Sequence, residues 1–178
     1  LFQLAEQRSR TGNPIEENRF ALLMAHYYIN QTQSNHLFTN SLYYPVYAYK
    51  RQDIARHFIA SAILAISSNK NLAQLLIVEK ELQDAQQSSG FSFIDLAADK
   101  AGIQFGLLAT QSEQSARLLQ RKMQYSTDYR AFIPTIKDLP ENLSTLDFQQ
   151  QYSSIYSKKY QQLLQLIDQR INACPIYQ

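Results

Sequence analysis

Asp95 and Asp99 stand one helical turn apart and share a stripe with Gly102 and Gly106, at i, i+4, i+7 and i+11 of one predicted helix. Two small residues spaced by four let a second backbone come close, so both carboxylates face whatever packs there. A carboxylate on a packed helix face needs a donor or a cation, because desolvating it alone is costly and raises its pKa. Asp95 has a local role, since Ser92-Phe93-Ile94-Asp95 reads as a capping box in which its carboxylate takes the Ser92 amide. Asp99 has no such role. His57, on an apolar helix beside Ser61 and Leu64, is its expected partner, with Arg56 and Lys80 as the other candidates. Three more acids precede the turn at Gly90: Glu79, inside the stripe Leu72, Leu75, Leu76 and Leu82, and the pair Glu81 and Asp84, three residues apart. The candidate polar cluster or binding site is therefore His57, Glu79, Glu81, Asp84, Ser92, Asp95 and Asp99.

Three chemistries suit such a set. The leading one is a non-enzymatic binding or structural role, with the cluster a hydrogen-bonded lock joining three helices. The alternative is a metal-binding domain or metal-dependent hydrolase, with His57 and nearby carboxylates as ligands, as helical bundles arrange them. The third is metal-free hydrolysis, with Glu79 or Glu81 giving a proton opposite an aspartate. No His-Glu-x-x-His, Glu-x-x-His or calcium loop supports the metal reading, so no cofactor is assigned. Gly90-Phe91-Ser92 lacks the Gly-x-Ser-x-Gly elbow of a nucleophilic serine, and Gly102 to Gly106 lies inside a helix, where it cannot cradle a phosphate.

The elements that must hold these residues are helices. Asn13-Pro14-Ile15-Glu16 opens one that runs to about Thr32. Asp53 to Ser67 is apolar nearly all round and belongs at the centre. Asn69 caps the next, Lys70 to about Gln87, which Gly90 ends in a left-handed turn. Ser92 starts a helix to about Leu108, Thr110 one to about Gln124 through a box with Glu113, Ser144 a short one through a box with Asp147, and Ser157 to Ala173 the last, stopped by Pro175. The segment from Asn35 to Lys50, rich in Tyr and Phe with Pro45 inside it, suits extended chain or a small β-hairpin near 36–50. The fold class is all-α, a helical bundle of about six helices forming one domain over residues 1–178. Tyr125 to Asn142 is an irregular connection that buries Phe132, Ile133 and Ile136.

Composition narrows the partners. At 178 residues with 45% hydrophobic and 18% charged, the chain can bury a full core. A net charge of +2 with scattered Lys and Arg gives no nucleic-acid footprint. The one cysteine, Cys174, excludes an internal disulfide and a cysteine-built zinc site. No apolar run is long enough for a transmembrane segment. The chain starts at Leu1 without an initiator Met, the pattern of a trimmed chain from which a signal peptide or anchor can have been removed. An envelope component or a small ligand remains as the partner class, and the oligomeric state is open.

A resemblance adds a setting. Glu17-Asn18-Arg19, Arg56-His57-Phe58 with Ser61-Ala62, Lys80-Glu81-Leu82 with Asp84, and SGFSFIDLAADKAG occur in that order. The combination resembles a group of uncharacterised bacterial proteins over most of the chain, and the central part is similar to the YfiM-type predicted periplasmic lipoproteins. The resemblance implies an exported protein, of the periplasm or cell envelope, and no particular activity.

Overall fold

The computed structural model describes residues 1–30, 44–68, 70–86 and 90–178. Among these are eight α-helices: α1 (Phe2–Arg8), α2 (Pro14–Ile29), α3 (Gln52–Ser67), α4 (Lys70–Gln86), α5 (Phe93–Thr110), α6 (Glu113–Tyr125), α7 (Thr145–Tyr152) and α8 (Lys158–Asn172). Single 3-10 turns follow α6 and α8, at Tyr129–Ala131 and Pro175–Tyr177. The chain is all-α, as the sequence pattern indicates, and α1 is the one described helix for which that pattern gives no signal. No strand occurs among the described residues. Residues 31–43, which include most of the expected extended segment, lie outside the described residues, as do Asn69 and residues 87–89; the described remainder of that segment holds a single bridge, Ala48 with Arg51, closed through positive φ at Tyr49 and Lys50.

The bundle is organised by the contact of α3 with α5. A Cβ built on Gly102 would meet the Phe58 carbonyl oxygen at 2.1 Å, and one on Gly106 would meet the Ala62 oxygen at 2.5 Å. Only glycine allows the two backbones this close, and the closeness buries α5 on nearly every side. Phe58 and Phe105 flank the crossing edge to face at 5.4 Å, with Phe132 at 5.2 and 5.6 Å from them. At the other end, Phe91, Phe93, Phe148, Tyr152 and Tyr160 form a second aromatic group that seats α7 and α8.

A neutral latch closes the corner between α5 and α6. Asn18, fully buried, donates to the carbonyls of Ala109 and Ala116 at 2.9 and 3.2 Å and accepts from Gln120 at 2.9 Å. Ser9 in turn donates to the Gln120 side-chain oxygen at 3.1 Å. No member is charged and each amide is engaged, which is how a buried polar network stabilises a fold.

Several local starts differ from the expected ones. The helix after α5 is capped by Ser112 in a box with Ser115, two residues later than Thr110 with Glu113, because α5 continues to Thr110. The box of Ser144 with Asp147 forms as expected. At α5 only half the box forms. Ser92 accepts from the Asp95 amide at 3.1 Å, while the Ser92 amide donates to Glu81 at 3.0 Å instead of to Asp95.

Candidate functional site

Three helices deliver the polar cluster. His57 and Ser61, one turn apart on α3, face α5 at the level of Asp99 because the glycines draw the two helices together. His57 Nδ1 lies 3.2 Å from both Asp99 oxygens, and Ser61 donates to Asp99 Oδ1 at 2.6 Å. The other imidazole nitrogen, Nε2, is 3.8 Å from Asp95 Oδ2. From α4 comes Glu81, 1% exposed, which accepts from Lys80 at 3.2 Å and from the Ser92 amide at 3.0 Å. Lys80 also donates to Asp84 at 2.7 Å.

Of the seven expected residues, the structure brings His57, Glu81, Asp84, Ser92, Asp95 and Asp99 into one network and leaves Glu79 out. Glu79 is exposed and takes only a bond from Gln83, at 3.2 Å. The reason lies in which face of α4 turns inward. Its buried row is Ala73, Ile77, Glu81 and Ala85, whose two alanines let α4 lie near α3 and α5, whereas Leu72, Leu75 and Leu76 are more than two-fifths exposed. Lys80, expected only as an alternative partner of Asp99, belongs to the network through Glu81 and Asp84. So does Ser61, which its place one turn after His57 could have indicated.

The electrostatics are unbalanced. Four carboxylates, Glu81, Asp84, Asp95 and Asp99, meet two basic groups, Lys80 and His57. Burial pushes the Glu81 carboxyl up to about 7, against the lowering effects of Lys80 and the Ser92 amide, with Asp99 and Asp95 adding to the rise. Burial also raises Asp95, opposed by the nearby His57 charge. The His57 imidazole loses basicity to burial but gains more from its bond to Asp99 and from the charges of Asp99 and Asp95, so its pKa ends above the usual value. Asp95 Oδ1 is shut off from solvent without a hydrogen-bond partner. The buried Tyr160 hydroxyl is unpartnered as well, and burial with the Glu81 charge pushes it up to about 12.

The cluster reaches solvent through a cleft of about 380 Å³ lined by Arg56, His57, Ser61, Leu76, Lys80 and Asp99. A larger cleft of about 470 Å³ has its charged pair, Lys100 and Asp168, already closed at 2.9 Å. A nucleophilic triad does not form, because Ser61 gives its proton to Asp99 rather than to His57. What the arrangement offers is a partly buried set of mixed oxygen and nitrogen donors, with more carboxylates than basic groups, beside an opening. No protein family, curated protein or solved structure matches the chain.

Proposed function

We propose that the protein is a non-enzymatic helical binding domain, and that the cluster of His57, Glu81, Asp95 and Asp99 is its binding site, poised for a positively charged ligand. The exported or envelope setting that the resemblance implies belongs to the same proposal, and fractionation of producing cells tests it. One observation carries the reading: four carboxylates, Glu81 and Asp99 buried and Asp84 and Asp95 partly so, face two basic side chains, with His57 and Asp99 lining an open cleft and Asp95 Oδ1 left without a partner. The contrast within the molecule supports it. The Asn18 latch is neutral, closed and complete, as a network kept for stability alone should be. The His57 cluster bears net charge, and the environments of Glu81 and Asp95 oppose their ionisation.

A structural lock is the second reading, favoured by the way Glu81 ties α4 to the amide of Ser92, the residue that caps α5. The two readings differ in the sign of one effect. Asp95→Asn removes a charge that the fold works against, so a binding site should gain stability from it in a ligand-free sample, as sites do when their strain is relieved. A lock should lose stability. Urea midpoints of the wild type and Asp95→Asn in the presence of a chelator decide between them.

A further inference from the structure

We infer that the ligand of this cluster is a divalent transition-metal cation held by His57, Glu81 and Asp99, an inference that rests on the binding-site reading above. One donor atom from each of these three residues lies within 4.8 Å of the other two, and both carboxylates are buried. One imidazole nitrogen with two carboxylate oxygens is a donor set for ions of the zinc or manganese kind, while an all-oxygen shell would suit calcium. Ligands about 2.1 Å from a tetrahedral ion stand about 3.4 Å apart, so the torsions of Glu81 have on the order of 1 Å to take up.

The surroundings are those a metal site requires. Ligating carboxylates need outer partners to hold them, and here Ser61 holds Asp99 at 2.6 Å while the Ser92 amide holds Glu81 at 3.0 Å. A ligating histidine gives its other N–H to a carboxylate; with Nδ1 turned to Asp99, Nε2 faces Asp95 at 3.8 Å. Asp95 thereby becomes a positioning residue. Lys80, which now neutralises Glu81 from 3.2 Å, has Asp84 at 2.7 Å to retire to. The cleft beside His57 and Asp99 is the way in from solvent.

Charge and protons balance. A ligating imidazole nitrogen and a ligating carboxylate must be free of protons, so any proton that His57 Nδ1 or Glu81 carries leaves on binding.

Calorimetric titration of chelator-treated full chain with zinc, manganese and calcium chlorides in two buffers of different ionisation enthalpy, near neutral pH, tests this. One zinc or manganese ion should bind per chain, with an apparent enthalpy that changes with the buffer and with weaker uptake of calcium. Asp95→Asn should weaken the affinity about 10- to 100-fold with the stoichiometry kept, and Glu81→Gln should weaken it more. If Glu81→Gln fails to fold, wild-type stoichiometry, proton release and the Asp95→Asn titration still decide. Absence of zinc and manganese binding, or binding indifferent to both substitutions, overturns the inference. If Asp95→Asn is nonetheless stabilising, the site awaits another cation and the binding reading stands; if it is destabilising, both fall.

Discussion

His57 Nδ1 lies 3.2 Å from both oxygens of Asp99 across the interface of α3 and α5, and Ser61 completes the carboxylate's shell from one turn further along α3. The pair is coupled by contact, so its members should not act independently. His57→Ala and Asp99→Asn should each destabilise, and the double mutant should lose less than the sum by about 0.5 to 3 kcal/mol. Additive losses in urea unfolding would mean that the contact carries no energy.

The same interface depends on glycine. A Cβ at Gly102 meets the Phe58 carbonyl at 2.1 Å and one at Gly106 meets the Ala62 carbonyl at 2.5 Å, both backbone atoms that cannot swing aside. At Gly12 the nearest atom, the Arg8 carbonyl oxygen, is 3.2 Å away. Gly102→Ala should therefore cost on the order of 3 kcal/mol and Gly12→Ala less than about 1 kcal/mol. Equal urea midpoints for the two variants would refute the close contact.

Glu81 sets a pH dependence. Its carboxyl stands at about 7 in the folded chain against an ordinary 4.5, so the folded state holds the proton more tightly than the unfolded state. That stabilisation is fully present below about 4.5 and is lost as pH rises through about 7, a change of roughly 3 kcal/mol. His57, also raised, adds a loss in the same direction above 6.5. The groups acting on Glu81 are Lys80 and the Ser92 amide, which lower it, and Asp99 and Asp95, which raise it. Asp53, lowered by Arg51, works the other way, and its contribution fades only as pH falls below 3.8. Chelator-treated wild type should thus lose stability between pH 5 and 7, and Glu81→Gln should show a flatter profile. A wild-type profile that rises over that window contradicts the assignment.

The Asn18 latch gives a reference for what a purely structural network does. Asn18→Ala strands two buried carbonyls and the Gln120 amide, so it should cost on the order of 2 to 4 kcal/mol. It should leave cation binding unchanged, and a binding defect in a folded Asn18→Ala sample would show that the two networks are not separate.

How much of this the sequence discloses depends on the range over which each feature is encoded. The stripe of Asp95, Asp99, Gly102 and Gly106 is legible because helical periodicity alone puts those residues on one face. Glu79 misleads for the complementary reason: the leucines of α4 look like an inward face, but small Ala73 and Ala85 set the closer approach and turn Glu81 inward instead. The Ser92 box is only half legible. Local rules cannot anticipate that Glu81, eleven residues upstream, outcompetes Asp95 for the Ser92 amide and frees the Asp95 carboxylate to face His57. The latch is invisible to such rules, since Asn18 and Gln120 stand 102 positions apart.

The most direct test of the central claim, that the cluster stores buried negative charge for a cation, is the unfolding of wild type and Asp95→Asn side by side, with chelator and then with excess manganese. The account predicts that Asp95→Asn is the more stable protein in chelator and that manganese stabilises the wild type by the larger margin, narrowing or reversing the difference. An Asp95→Asn variant less stable than wild type in chelator, with neither protein responding to manganese, would contradict it and leave the cluster as a lock.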